Sequence, residues 1–252
     1  MLIRIVLVGT SHPGNIGSAA RAMKTMGLAS LYLVAPERFP ASEATVMAAG
    51  ADDLLQQARV VPDVRSAIAD CGLVVGTTAR DRHLPLRALE PRAAALEIAA
   101  AAQASEVAIL FGAERTGLHN DDLQLCHVQL TIPTGSEYTS LNLAMAVQVV
   151  AYEVCLALRD RGTPGLPGEG AVPLASSADM QKFYAQLEQV LEEIDFRDRT
   201  GSGHLMNRLR RLFQRAVLDQ NEINILRGIL TAVQGKRRRA GDPHPRRPEP
   251  AP

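Results

Sequence analysis

The sequence predicts an α/β protein: a mostly parallel sheet covered on both faces, followed by a small α-helical domain. Three observations carry this. Short runs rich in Val, Ile and Leu recur at Ile3–Val8, Leu31–Val34, Leu73–Val75, Val107–Phe111 and Val128–Ile132. Helical patterns fill the gaps, the alternation expected of parallel strands joined by crossover helices. The composition then breaks at Gly162-Thr-Pro-Gly-Leu-Pro-Gly-Glu-Gly170 and Pro173, which suit neither helix nor strand, and further helical patterns follow.

The first run is strongly apolar, as expected of a strand buried on both faces. Helical spacing then covers Ile16–Met26, Ser42–Ala49, Pro62–Ala69 and Pro91–Ala104 between the strands. A long helix is expected over Ser140–Arg159. Leu143, Val147, Val150, Ala151, Val154 and Leu158 form its apolar face, and Ser140 is placed to cap it. Beyond the break, helices are expected over Ala178–Ile194, Gly203–Leu218 and Gln220–Gln234. The middle one sets Arg208, Arg210, Arg211 and Arg215 beside Leu205, Leu209, Leu212 and Phe213. The expected organisation is a domain over 1–160, a linker over 161–177, a helical domain over 178–238 and a disordered Pro-rich tail over 239–252.

The chain has 252 residues, 46% of them hydrophobic, enough for one large core and a small appendage. Aromatic residues make up only 4% and Trp is absent, so the core must be aliphatic. The net charge is +0 but unevenly spread. Residues 1–160 carry 12 Lys/Arg and 16 Asp/Glu, whereas residues 204–252 carry 11 and 4. A basic end of this kind suits a polyanionic partner. Cys71, Cys126 and Cys155 are scattered, with no Cys/His pair at zinc spacing. That predicts no metal and a reducing, cytoplasmic setting. No apolar stretch is long enough to span a membrane, and the N-terminal run is too short for a signal peptide.

Four polar, Gly-containing segments follow strands. In the first, Gly9 to Gly27, a Pro-Gly turn presents Asn15, and Arg21 stands among alanines. An arginine there is costly unless an anion or a reaction centre uses it. The segment matches neither G-x-x-x-x-G-K-[ST] nor G-x-G-x-x-G. The second, Phe111-Gly-Ala-Glu-Arg-Thr-Gly-Leu118, displays Glu114 and Arg115 at a strand's C-terminal end, where open α/β sheets bind ligands. The third is Ile132-Pro-Thr-Gly-Ser-Glu-Tyr-Thr-Ser-Leu-Asn142, and the fourth is Val74-Val-Gly-Thr-Thr-Ala-Arg80. Singly, each has a plain structural reading: a surface Glu114–Arg115 ion pair, a cap at Ser140, a strand exit at Thr77, a salt bridge at Arg21. Together, strand ends of one sheet are expected to converge on one crevice.

Asn-Ile-Gly-Ser-Ala-Ala-Arg-Ala-Met, Phe-Gly-x-Glu-Arg-x-Gly-Leu and Ser-Leu-Asn-Leu-Ala-Met-Ala-Val-Gln resemble the three motifs of the SPOUT-superfamily RNA ribose methyltransferases. The similarity is closest to the TrmJ-type tRNA 2′-O-methyltransferases and runs from about Leu2 to Leu158. It implies a SPOUT-type sheet with a C-terminal trefoil knot, S-adenosyl-L-methionine as cofactor, a homodimer with shared active sites, and tRNA as substrate at pyrimidine nucleotide 32 of the anticodon loop. By the same resemblance Arg21, Asn15, Glu114 and Ser140 are the catalytic set. Thr77, Thr78, Ala79, Gly112, Ile132, Thr139, Ser140, Leu141 and Asn142 hold the cofactor. Arg21, Arg115, Arg208, Arg211 and Arg215 meet RNA. The family's proposed base is Arg21, but a guanidinium stays protonated. Stabilisation of the developing alkoxide by Arg21, with phosphate or solvent taking the proton, is the physically easier version. Competing readings are another tRNA position or ribosomal RNA, a non-catalytic knotted RNA-binding protein, and a dinucleotide-dependent oxidoreductase. The last is disfavoured by Val34-Ala-Pro, which offers no acidic residue after the second strand.

Overall fold

The computed structural model describes residues 2–79, 86–137, 139–160, 172–196 and 204–240. Seven strands form one sheet: β1 Ile3–Val8, β2 Ser30–Val34, β3 Arg59–Val61, β4 Cys71–Thr77, β5 Arg87–Leu89, β6 Glu106–Phe111 and β7 Val128–Leu130. Their order is β3-β2-β1-β6-β4-β7-β5, and every pairing is parallel. β6 is therefore inserted between β1 and β4, and β7 between β4 and β5. This gathers the loops after β1, β4, β6 and β7 at one edge.

Period-two alternation divides the core. Ile3, Ile5 and Leu7 face α1 (Pro13–Thr25), α2 (Ser42–Ala48), α3 (Asp52–Gln56), α5 (Pro91–Ala101) and α7 (Leu143–Asp160). Val6, Val74 and Ala108 face α4 (Val64–Ile68) and α6 (Asn120–Leu123). α1 lies so close to α2 that a Cβ on Gly17 would sit 2.0 Å from Ala44 O. Gly17 is thus a helix-contact residue.

Arg4 is the buried exception in β1, 3% exposed. Its guanidinium donates to Asp70 at 2.7 and 2.9 Å, to Glu106 at 3.0 Å and to Ala67 O at 2.9 Å, and it lies over the Tyr32 ring. Arg4→Ala strands these acceptors and opens a hole. It is expected to cost about 3 kcal/mol, read as a lower midpoint in thermal or urea unfolding.

The C-terminal helices are α8 (Ser177–Glu193), α9 (Leu205–Ala216) and α10 (Gln220–Ala240). They share their own core of Met180, Phe183, Tyr184, Val190, Ile223 and Leu230. Phe183 meets Phe213 edge-on with centroids 4.9 Å apart. Residues 174–178 tie this module to the amino-terminal edge of the sheet. Leu174 N–H donates to Ser105 Oγ at 2.8 Å, and Ala178 N–H to Ala69 O at 2.9 Å. Residues 161–171 of the expected linker (161–177) and residues 241–252 of the expected tail (239–252) lie outside the described residues, as do the side chains of residues 236–240, while α10 takes in residues 239 and 240 that were expected in the tail.

Several expected elements shift. β4 is longer than Leu73–Val75, and β7 ends before Ile132. β3, β5, α3 and α6 are additional. α1 begins at Pro13, so Asn15 lies in its first turn rather than in a preceding one. α7 begins at Leu143, not Ser140. Asn142 Oδ1 accepts from Ala144 N–H at 2.9 Å, so Asn142 caps the helix and Ser140 stays in the loop.

Candidate functional site

A crevice of about 210 Å³ opens at the C-terminal ends of β4, β6 and β7. Thr77, Thr78, Ala79, Gly112, Ile132, Thr139, Ser140 and Leu141 line it, with Phe111, Leu130 and Leu143 as apolar walls. Eight of the nine residues expected to hold a cofactor thus meet in one place. Asn142 instead lines the adjoining crevice. Thr77 Oγ1 donates to Leu110 O at 2.9 Å and Thr78 N–H to Leu130 O at 3.0 Å, which locks the strand ends together. Gly112 passes so close to the returning loop that a Cβ there would lie 2.0 Å from Leu118 N.

Glu114 borders this crevice and also the neighbouring one formed with Ser140, Leu141, Asn142 and Met145. Its carboxylate closes the gap to α1. Ser11 donates to Oε2 through N–H at 3.1 Å and through Oγ at 3.0 Å. His12 N–H reaches Oε1 at 3.2 Å and Asn15 Nδ2 at 2.8 Å. Asn142 Nδ2 then donates to Asn15 Oδ1 at 3.0 Å. One polar chain therefore joins three of the four loops, from Ala144 N–H through Asn142 and Asn15 to Glu114. Glu114 and Arg115 do not form the surface ion pair that adjacency suggested; Glu114 turns inward, and Arg115 is exposed at the rim of the strand-end crevice.

A wider crevice of about 790 Å³ continues past Asn15 and Asn142 to His12, Gly14, Ser18, Glu43, Val46, Met47 and Met145. His12 belongs to the site and was missed in the sequence; its signal is a helix-start position lacking a usual capping residue. Arg21 needs a correction. It is exposed on the outer side of α1, so no desolvation cost forces a function on it. Among the described residues its side chain makes no hydrogen bond or ion pair, and it lines none of these crevices. On α9, Arg208, Arg211 and Arg215 are exposed along one side. Arg210 is spent on structure, stacked 4.6 Å from the Tyr184 ring.

Partial burial works against ionising Glu114, but the donors from Asn15, Ser11 and His12 prevail and hold its pKa at about 2. Its stabilising share is full above the ordinary carboxylate pKa of 4.5 and is lost as pH falls through about 2. Burial lowers His127 from 6.5 to about 4. Its neutral Nδ1 accepts from Val74 N–H at 3.0 Å, a bond that protonation at that nitrogen destroys. The unfolded chain takes that proton first, so stability drops between pH 6.5 and about 4. Unfolding midpoints measured across that window are expected to fall, and His127→Asn, which keeps an acceptor without the titration, is expected to flatten the fall.

A parallel α/β sheet with a half-apolar crevice at its carboxyl edge, joined to a fixed polar cluster, is the architecture of a ligand-binding α/β enzyme. Comparison with known proteins narrows this. The SpoU rRNA Methylase family matches residues 2–152, and the tRNA methyltransferase TrmJ C-terminal domain matches residues 178–243. The tRNA (cytidine/uridine-2′-O-)-methyltransferase TrmJ of Pectobacterium atrosepticum is 52% identical over 232 residues, 92% of this chain and 96% of the relative. The crystal structure of TrmJ from Z. mobilis ZM4 superposes with a TM-score of 0.78 at 37% identity, covering 92% of this chain and 98% of that one. A probable methylase family protein from Haemophilus influenzae gives 0.62 at 42% identity, covering 95% and 100%. The chain belongs to the SpoU methylase family, in its TrmJ group.

Proposed function

We propose that this protein transfers the methyl group of S-adenosyl-L-methionine to the ribose 2′-oxygen of the pyrimidine at position 32 in the tRNA anticodon loop, in the cytoplasm. The observation that carries the reading is the position of Glu114. It borders the strand-end crevice and the small adjoining one with Ser140 and Asn142, and its carboxylate accepts from Asn15 and from His12 N–H, residues of the wide crevice beyond. A small ligand in the first crevice and a ribose in the second would meet there.

The strand-end crevice fits the cofactor. Backbone groups at 77–79, 112 and 132 can read the edge of a purine. Phe111, Leu130, Ile132 and Leu141 can hold its face, and the hydroxyls of Thr134, Thr139 and Ser140 can meet polar groups. When bound, S-adenosylmethionine supplies an electrophilic methyl group. The protein's part is alignment and exclusion of water. Asn15 and Asn142 orient the ribose, Ser140 borders both ligands, and Glu114 keeps α1 in place. Arg21 stabilises the oxygen as it loses its proton.

Arg21 lies outside its own chain's crevices, which supports a homodimer in which each site takes Arg21 from the second copy. Val46, Met47 and Met145, exposed beside the wide crevice, supply an apolar surface for that contact. Insertion of β6 and β7 between earlier strands is consistent with a threaded, knotted C-terminal half. Arg115 and the α9 arginines hold RNA phosphates. The triple variant Arg208→Ala, Arg211→Ala, Arg215→Ala is expected to weaken tRNA binding. Its log K against log salt should be shallower by about 2 to 3, seen in filter binding at several salt concentrations.

The reading is tested by transfer of labelled methyl from S-adenosylmethionine to unmodified tRNA, then nuclease digestion and nucleoside mass spectrometry. Label in 2′-O-methylcytidine or 2′-O-methyluridine at position 32 supports it. Label elsewhere in tRNA, or only in ribosomal RNA, moves the target. No transfer with cofactor bound leaves an RNA-binding protein.

A further inference from the structure

We propose that the His12 imidazole accepts the proton of the ribose 2′-hydroxyl, which makes it a further catalytic residue of the transfer proposed above, on which this inference rests. Removing that proton requires an acceptor. The Arg21 guanidinium has no free lone pair to offer. Among the described residues, the charged or titratable side chains bordering the grooves beside Asn15 and Asn142 are Glu114 on the β6 loop, Glu43 on α2 with Arg38 next to it at 3.8 Å, and His12. Both oxygens of Glu114 are engaged by donors from Ser11, His12 and Asn15, so it makes a weak base at neutral pH. Glu43 is more than half exposed on the outer helix and spends its charge on Arg38. His12 remains.

Its placement favours the role. His12 is the N-cap of α1, yet its side chain makes no capping bond. That position is normally given to Ser, Thr, Asp or Asn for the sake of the bond. Its backbone N–H donates to Glu114 Oε1, which anchors the residue beside the wall shared by the two ligands. The ring is exposed and lines the same groove as Asn15 and Asn142. Imidazole is also the side chain that takes and releases a proton near neutral pH. In the step, the 2′-O–H bond breaks and its proton passes to an imidazole nitrogen. The oxygen pair forms the O–CH₃ bond, and the pair of the broken C–S bond stays on sulfur. The imidazolium then returns its proton to solvent.

His12→Ala removes a ring that makes no side-chain hydrogen bond or ion pair among the described residues, so the fold should survive. The experiment follows single-turnover methyl transfer to tRNA from about pH 5.5 to 9 for the wild type and the variant. Cofactor and tRNA affinities are measured separately. The wild-type rate should rise with pH and level off. The variant should fall at least about 10²-fold at neutral pH, lose that limb and recover about tenfold with added imidazole, at nearly unchanged affinities. In histidine-labelled protein, the ring signal absent from His12→Ala should shift when an anticodon stem-loop RNA is added. A variant with wild-type rate and profile overturns the proposal in favour of phosphate or solvent. So does a loss that imidazole does not rescue. A wild type inert toward tRNA instead sinks the underlying reading.

Discussion

Arg21→Ala is expected to keep cofactor binding and lose methyl transfer to tRNA by at least about 10²-fold. The side chain is exposed on α1 and supports nothing: among the described residues it has no hydrogen bond or ion pair. The variant should therefore melt where the wild type does. In the role proposed for it, Arg21 acts on the reacting oxygen, whose negative charge grows only as the proton leaves, so the loss is expected on turnover rather than on cofactor affinity. Arg21→Lys keeps the charge but not the fork of donors and should recover only part of the rate. Calorimetry with S-adenosylmethionine and a single-turnover assay with tRNA separate the two quantities. Unchanged turnover would reduce Arg21 to a solvated surface residue.

Gly112→Val is expected to weaken cofactor binding by more than about 10²-fold, near 2.7 kcal/mol. The first carbon of the new side chain would lie 2.0 Å from Leu118 N and 2.1 Å from the Gly117 carbonyl carbon. These are backbone atoms, so the 112–118 loop must move, and that loop is a wall of the strand-end crevice. Glu114 rides on the same loop, so its bonds to Ser11, His12 and Asn15 should loosen as well. RNA affinity from the α9 arginines should persist, because α9 lies on a separate core. Gly135→Ala is the control: nothing lies within 4 Å of its added carbon. A Gly112→Val protein that titrates like the wild type would show that the cofactor binds elsewhere.

The strand Ile3–Val8 was legible as a strongly apolar run, the mark of a strand buried on both faces; that Arg4 inside it is buried on Asp70 and Glu106 was not. β3 and β5 were not. Each is three residues long, mostly exposed, and carries an arginine, so neither shows a hydrophobic period. The segments after the strands were legible because polar, Gly-containing loops after apolar strands mark a ligand edge, and the resemblance to the methyltransferase motifs singled out Thr77, Thr78, Gly112 and Ile132 within them. The bonds that organise the site were not legible. Asn15 and Glu114 are 99 residues apart, and Asn15 and Asn142 are 127 apart. Arg21 was misjudged for a related reason. A row of alanines shows that a helix is packed, but only its neighbours decide which side faces out.

The sequence by itself determined the elements, the basic C-terminal helix, the family motifs and the loops that carry polar chemistry. Each of these rests on periodicity, propensity or composition within short windows. Tertiary structure alone decided that Glu114 faces α1 rather than Arg115, that Asn142 caps α7 in place of Ser140, and that His12 borders the groove. Those outcomes depend on β6 entering the sheet beside β1. That pairing is set by burial of whole faces rather than by any local pattern.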